Sequence, residues 1–102
     1  MHKMKIADLP VFDAADYLQS EQACAEYLTF VLEDGDPVLI AAALGDIAKA
    51  RGMSQVARDA GLTREGLYKA LGEQGNPSFA TVLKVMRALG LQFNVQPAAH
   101  VS

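Results

Sequence analysis

The sequence has few of the residues that staple a chain with disulfides or anchor it in a membrane. It contains one cysteine, Cys24, in 102 residues, so a disulfide framework is excluded and a reduced, cytoplasmic setting is favoured. The longest apolar run, residues 38–44, has seven residues, whereas a membrane span needs roughly 18. The charged N-terminus is not followed by the apolar stretch of a secretory signal. We therefore expect a cytoplasmic protein with no membrane association.

Groups of residues that perform catalysis or hold a metal ion are also missing from the sequence. The two histidines, His2 and His100, lie near opposite ends of the chain, and no set of His, Cys and Asp has the spacing of metal ligands. There is neither a Gly-rich phosphate loop nor a Ser-His-Asp order. These absences predict a binding protein rather than an enzyme, with no metal and no cofactor.

What the sequence does contain is the composition and periodicity of one helical domain. Apolar residues make up 51% of the chain and charged residues 21%, which is typical of a folded domain. Apolar residues recur at helical spacing in several stretches, each bounded by a capping side chain or a glycine. We expect an all-α fold, a bundle of about five helices in a single domain, residues 1–102. The predicted caps are Ser20, Asp36 (followed by Pro37), Ser54, Thr63 and Ser78, and the predicted stops are Gly35, Gly52, Gly61 and Gly90.

Shorter elements are predicted at both ends of the chain. Residues 4–9 predict a strand and residues 13–18 a short helical turn. Residues 91–95 alternate between apolar and polar side chains, which predicts a short, half-exposed terminal strand. Such a strand needs residues 4–9 or a second copy of itself as partner, and this requirement favours a homodimer.

Several side chains are predicted to fill the core. Residues 38–43 are apolar on all sides of their helix and are expected to be buried. Cys24 is expected to be a small buried hydrophobe, and the aromatic residues Tyr27 and Phe30 to be core residues. In the last helix, the residues expected to face inward are Phe79, Val82, Leu83, Met86 and Leu89.

Charge is distributed unevenly between the two halves of the chain. Residues 1–50 carry three basic and nine acidic side chains, a net charge of −6. Residues 51–102 carry six basic and three acidic side chains, a net charge of +3. This division predicts two faces with different partners, and the alternative is an ordinary solvated surface.

Residues 54–71 have the pattern of a helix-turn-helix motif. Two short helices flank a turn centred on Gly61-Leu62. In the second helix, apolar side chains fall on one face, and cations, hydrogen-bonding groups and one aromatic ring fall on the other. That outward mixture suits base edges and phosphates. The inward residues are Leu67, Ala70 and Leu71, and the outward residues are Arg64, Glu65, Tyr68 and Lys69.

These residues carry a resemblance to a known family. Residues 55–71, QVARDAGLTREGLYKAL, are similar to the helix-turn-helix of the phage-repressor (Cro/C1, or Xre) superfamily, and residues 75–78 and 89–90 match its later landmarks. Within that superfamily, the chain resembles the probable addiction-module antidote proteins, the HigA-like antitoxins of bacterial type II toxin–antitoxin systems. The resemblance extends from about residue 12 to residue 93.

The resemblance implies a phage-repressor-like bundle that binds operator DNA, as a homodimer on an inverted repeat, and represses its own transcription. It also implies a cognate toxin, a small ribonuclease of the RelE/HigB type, which the protein neutralises by direct binding. By position, Gln55 matches a residue that contacts the DNA backbone, and Ser78 lies at a helix N-terminus that approaches phosphate. The DNA-facing positions of the recognition helix are Thr63, Arg64, Glu65, Tyr68 and Lys69.

Two residues depart from what a recognition helix usually contains. Gly66 lies within the helix, where glycine costs about 0.5–1 kcal/mol relative to alanine. Glu65 is an acid on a DNA-facing position, where it either accepts from a cytosine amino group or pairs with Arg64 or Lys69. Both departures bear on the strength of DNA binding.

Two alternatives to a DNA-binding antitoxin stay open. One is a stand-alone phage-type repressor without a toxin, and the other is a protein-interaction module whose helix-turn-helix binds no DNA. All three share one organisation: an N-terminal helical extension over about residues 12–35, a helix-turn-helix core over about 36–90, and the motif itself over about 54–71.

For an antitoxin, the acidic half of the chain, about residues 13–50, is the predicted docking surface for the toxin. A ribonuclease toxin binds RNA phosphates, so its working face is expected to be basic. Complementary charge would raise the association rate, while apolar contacts would supply most of the affinity. The alternative is an acidic face that binds nothing.

Overall fold

The helices that the apolar spacing predicts are present in the chain. The computed structural model describes residues 20–98, where it shows five α-helices and no strand. The predicted all-α bundle of about five helices is therefore confirmed. The helices are α1 (Glu21–Asp34), α2 (Pro37–Arg51), α3 (Met53–Ala60), α4 (Arg64–Leu71) and α5 (Phe79–Ala88).

Local side chains set the ends of α1 and α2. Ser20 Oγ accepts a hydrogen bond at 3.0 Å from a backbone N–H in the first turn of α1. Gly35 ends α1, and the Asp36 carboxylate then accepts the Val38 N–H at 2.9 Å. Pro37 takes the first position of α2, where no N–H is needed. These ends confirm the predicted boundaries.

The helix α3 begins two residues earlier than the sequence predicts, since its cap is residue 52 and not residue 54. The prediction that Ser54 caps this helix is wrong, because α3 starts at Met53 and Gly52 takes the cap position. The Val56 N–H donates to the Gly52 carbonyl at 3.0 Å, which places the first helical bond there. Gly52 is the single residue between α2 and α3, so the two helices meet at a corner without a loop.

The core lies where α3 packs against α2, α4 and α5, and α1 packs against α2. The prediction that Cys24 is buried is confirmed. Burial of these apolar side chains is the main stabilising contribution to such a bundle. The largest fully buried side chains are Leu44, Ile47, Leu67, Val85 and Cys24.

The buried stripe of α5 differs in part from the predicted one. Leu83 and Phe79 were expected to face inward and are exposed instead. Val85 is fully buried in the centre of the stripe, while Phe79 lies at the helix start with its ring 5.9 Å from that of Phe93. The inward residues keep the i, i+3, i+4, i+7 spacing of one helix face. They are Val82, Val85, Met86 and Leu89.

Two expectations about burial in α1 and α2 are corrected. Phe30 was expected in the core but is exposed, because two residues turn a helix by about 200° and the buried Leu28 lies on the other face. Residues 38–43 were expected to be buried throughout. Val38 and Leu39 are exposed, because they lie in the first turn of α2, before the first buried residue, Ala41. Ala42 is exposed as well, so the segment is buried only in part.

Two polar contacts join α1 to α2. The Tyr27 hydroxyl donates to the Asp46 carboxylate at 3.1 Å, and Tyr27, expected in the core, is only half-buried. Burial raises the pKa of the Tyr27 phenol, and the hydrogen bond and negative charge of Asp46 raise it further. Nearer the start of α1 and the end of α2, the Arg51 guanidinium lies 3.9 Å from the Glu21 carboxylate.

The terminal strand predicted for residues 91–95 is not present. The Leu91 N–H donates to the Met86 carbonyl at 2.9 Å and so completes the end of α5, and Phe93 packs on Phe79. A strand needs a hydrogen-bonding partner, and residues 20–98 supply none. The predictions for residues 4–9 and 13–18 lie outside the described residues.

Within the part of the chain that the structure describes, no helix combines the length and the apolar character that crossing a bilayer requires.

Candidate nucleic-acid interface

A three-residue turn, 61–63, joins α3 to α4. Gly61 has a φ of 74°, a left-handed conformation that favours glycine. Its N–H donates to the Arg58 carbonyl at 3.1 Å, and the Leu62 N–H donates to the Ala57 carbonyl at 2.8 Å. This pair of bonds is a Schellman motif, which ends α3 and fixes the direction in which the chain leaves it.

Thr63 then begins α4. Its Oγ1 accepts the Gly66 N–H at 2.9 Å, and its carbonyl accepts the Leu67 N–H, also at 2.9 Å. Leu67 and Leu71 are buried and hold the inner face of α4 against the core. The orientation of the outer face of α4 is therefore fixed by a capped turn at one end and by packing along its length.

The outer face of α4 carries the four side chains that the sequence placed there. Arg64, Glu65, Tyr68 and Lys69 are all exposed, and the Arg64 guanidinium carbon lies 5.4 Å from the centre of the Tyr68 ring. At this distance the ring attracts the cation and restricts where the guanidinium lies. Across residues 20–98 the one ion pair joins Arg51 to Glu21, so Glu65 does not pair with Arg64 or Lys69.

The side chain of Gln55, on α3, forms hydrogen bonds with two other side chains of the same helix. Its amide Nε2 donates to Asp59 Oδ1 at 2.9 Å, and its amide oxygen accepts from Arg58 Nη1 at 3.1 Å. All three side chains are exposed. Arg58 is not among the site residues that the sequence predicts. The spacing of 55, 58 and 59 on one helix face is the signal that identifies it.

Ser78 caps α5. Its hydroxyl oxygen accepts the Thr81 N–H at 3.1 Å, and the hydroxyl donates to Thr81 Oγ1 at 3.1 Å. Among the predicted site residues, the structure thus joins Arg64 to Tyr68. Within the described segment, no hydrogen bond links Gln55 or Ser78 to α4. The candidate interface therefore consists of three separate elements on one scaffold.

The glycine within α4 has a local consequence. A Cβ built on Gly66 would lie 2.9 Å from Thr63 Oγ1, closer than side chains normally approach. A larger residue at this position would therefore crowd the hydroxyl that caps the helix. Glycine weakens α4 through its backbone entropy but leaves room for the cap.

The described residues hold no metal site, since residues 20–98 contain no group of three or more His, Cys, Asp or Glu side chains that could bind one ion.

The fold and this surface define a small all-α protein in which two short helices, joined by a three-residue turn, present a polar outer face. A family model described as "Probable addiction module antidote protein" matches residues 8–97. The chain belongs to this family. Membership supports the role of an antidote in an addiction module, and an antidote implies a toxin as its partner.

A relative from Haemophilus influenzae is also similar to most of the chain. That protein, described as "Uncharacterized protein", is 61% identical to the chain over 85 residues, which are 83% of this chain and 88% of the relative. No solved structure matches the chain.

Proposed function

We propose that this antidote is also a sequence-specific DNA-binding protein that represses its own operon through the helix-turn-helix formed by α3 and α4. The observation that carries the proposal is the outer face of α4. A guanidinium held over an aromatic ring, a carboxylate and an ammonium group are all exposed there, on a helix fixed by a capped turn. Base edges are read by such hydrogen-bonding groups, and phosphates by cations.

Each side chain has a distinct role in the proposed complex. Arg64, at the first position of α4, donates both arms of its guanidinium to guanine O6 and N7. Glu65 accepts from a cytosine amino group, and Lys69 contacts a phosphate. Gln55 and Ser78 contact the backbone on either side, and these contacts set the register without reading sequence.

The second partner is the toxin that the antidote role implies. We propose a small ribonuclease of the RelE/HigB type, which the protein neutralises by direct binding in the cytoplasm. The protein itself performs no reaction and uses no cofactor. The proposal for the toxin rests on the family of the chain and on its resemblance to HigA-like antitoxins.

An electrophoretic shift with the intergenic DNA upstream of the gene tests the DNA-binding proposal. Arg64→Ala is expected to cost about 1–3 kcal/mol of binding free energy and to relax sequence preference. Lys69→Ala is expected to weaken all DNA sites alike and to reduce the slope of log affinity against log salt by about one. Changing Lys84 and Arg87, two exposed cations of α5, to alanine is the control of matched charge.

The outcome separates the proposal from its alternatives. Equal operator binding by the wild type and by the Arg64→Ala/Lys69→Ala variant would contradict the assignment of α4. Operator binding without association with the product of the adjacent gene would favour a stand-alone repressor. Toxin binding without a DNA shift would favour an interaction module.

A further inference from the structure

The chain exposes large apolar side chains on both sides of the turn between α1 and α2. We name residues 30–39 the α1–α2 corner. Phe30 is 74% exposed and Val38 66% exposed, and Leu32 and Leu39 are exposed as well. Single exposed apolar residues are common on protein surfaces, and Phe30 and Leu32 lie on different sides of α1. The feature to be explained is the exposed Phe30 ring, with Glu33 and Asp34 one turn further along the same side of the helix.

The same corner carries carboxylates that do not support its helices. Glu33 and Asp34 lie in the last turn of α1, where the helix dipole disfavours negative charge, and that turn contains no basic residue. Residues 20–48 as a whole contain six acidic side chains and no basic one, whereas residues 49–98 contain seven basic and three acidic side chains. Helix stability therefore accounts for Asp36, which caps α2, but not for Glu33 and Asp34.

A shallow depression of about 430 Å³ runs along α1 into the corner, between Gln22 and Glu33. Its other polar groups are already hydrogen-bonded. Gln22 donates to Glu26 at 3.1 Å, and the Thr29 hydroxyl donates to the Ala25 carbonyl at 2.8 Å. The Phe30 ring and the Glu33 carboxylate are exposed at its end.

We propose that the α1–α2 corner is the docking surface for the toxin. The corner fits a protein that presents an apolar pocket surrounded by cations, with Phe30 entering the pocket and the carboxylates of Glu33 and Asp34 meeting its rim. This inference rests on the proposed function, because a ribonuclease needs a cationic face to hold RNA phosphates. A toxin bound through that face is prevented from binding RNA.

Charge selects this occupant over the others. A phosphate backbone is repelled by a segment with six carboxylates and no cation. Two copies of the corner packed on each other would place like charges together, which costs affinity. A basic protein gains both the apolar contact and the complementary charge.

The test compares corner variants with controls in their binding to the purified product of the adjacent gene. Phe30→Ala removes the aromatic side chain without disturbing the core, since Phe30 is exposed on a helix. Val95→Ala, at a position that is 93% exposed and lies outside the corner, is its control. Glu33→Lys/Asp34→Lys reverses the charge and places cations where the helix dipole favours them, and Glu73→Lys is its control.

Phe30→Ala is expected to weaken toxin binding about 10- to 100-fold, mainly through faster dissociation, as for an aromatic hot spot. The charge reversal is expected to slow association about tenfold and to reduce its dependence on salt. The controls are expected to bind like the wild type, and every variant is expected to shift operator DNA unchanged.

Three results would overturn the proposal, and they are distinguishable. If the wild type binds the toxin and both corner variants bind equally well, the corner is wrong while the proposed function stands. If the wild type does not bind the product of the adjacent gene, the toxin part of the proposed function fails, and the corner proposal fails with it. If Phe30→Ala changes the mass of the free protein in light scattering but not its toxin affinity, the occupant is a second copy.

Discussion

Arg64 and Tyr68 lie one helical turn apart on α4, and their contact defines what each contributes at the scale of single residues. A cation over an aromatic ring at an exposed site gains about 0.5–1 kcal/mol. This attraction limits the positions of the guanidinium before any ligand arrives, so less side-chain entropy is lost when both of its arms form hydrogen bonds. In the proposed DNA complex, Tyr68 is therefore a positioning residue for Arg64.

Gly66→Ala is expected to leave the free energy of unfolding nearly unchanged, although alanine is the better helix former by about 0.5–1 kcal/mol. The new Cβ would lie 2.9 Å from Thr63 Oγ1 and displace the hydroxyl from its cap. In a Thr63→Ala background there is no hydroxyl to crowd, so the same change is expected to stabilise by about 0.5–1 kcal/mol.

Urea denaturation of the four proteins in this double-mutant cycle measures the coupling between the two positions. Equal effects of Gly66→Ala in both backgrounds would show that the Thr63 cap does not select for glycine at position 66.

Sequence is a good guide to single residues whose structure depends on near neighbours. The caps Ser20, Asp36, Thr63 and Ser78 were predicted because each bonds a backbone N–H two or three positions along the chain. Ser54 also has a side-chain oxygen suited to capping but does not cap, because α3 already begins at Met53 with Gly52 in the cap position. The start of α3 at this position depends on how α2 and α3 pack against each other. A local sequence pattern does not contain that information.

At the scale of elements, α1 is attached to the bundle along α2, and the Tyr27–Asp46 hydrogen bond lies within that contact. Because burial and the adjacent carboxylate raise the pKa of Tyr27, the folded state holds the phenolic proton more tightly than the unfolded state. The stabilising contribution is therefore fully present below the ordinary tyrosine pKa of about 10 and is lost as the pH rises above it.

Tyr27→Phe is expected to cost about 0.5–1.5 kcal/mol at neutral pH through the lost hydrogen bond. It is also expected to reduce the decline of stability above about pH 10. Denaturation curves collected across the alkaline range measure both effects. Tyr68→Phe, at an exposed position of α4, is the control that should retain the decline of the wild type. An unchanged alkaline decline in Tyr27→Phe would rule out this hydrogen bond as its source.

Which face of an element is covered was harder to predict than where the element begins and ends. The apolar character of Phe30 and Phe79 predicts core positions for both. However, only one side of α1 packs against α2, and Phe79 is the first residue of α5 and is exposed there. Periodicity gives the spacing of a face, whereas its coverage depends on neighbouring helices or partners. The outer face of α4 was predicted because its polar and apolar residues separate clearly in the sequence.

At the scale of the whole molecule, one helix-turn-helix reads too few base pairs to select an operator, so we expect two copies on an inverted repeat. The structure contains no strand at residues 91–95, so pairing of such strands is not an argument for the dimer. A two-fold dimer would place its α4 helices about 34 Å apart, one turn of DNA, or at a multiple of that distance.

Insertion of about five base pairs between the half-sites, half a helical turn, is expected to abolish tight operator binding, while insertion of about ten is expected to restore much of it. Electrophoretic shifts with the three DNA spacings, combined with light scattering, measure this dependence. A monomer both free and on DNA would contradict the dimer.

The corner at Gly52 has a mechanical consequence. The fifteen residues of α2 form a rod about 22 Å long, which begins at the α1–α2 corner and ends one residue before α3. With no linker to absorb a rotation, a tilt imposed at the first turn of α2 would reach the base of the α3–α4 unit, which is the proposed DNA-binding element. Whatever factor the toxin then applies to operator affinity, the operator must apply to toxin affinity. If α2 moves as one rigid rod, toxin bound at its first turn would change operator affinity, and the concentration of free toxin would thus set the level of transcription.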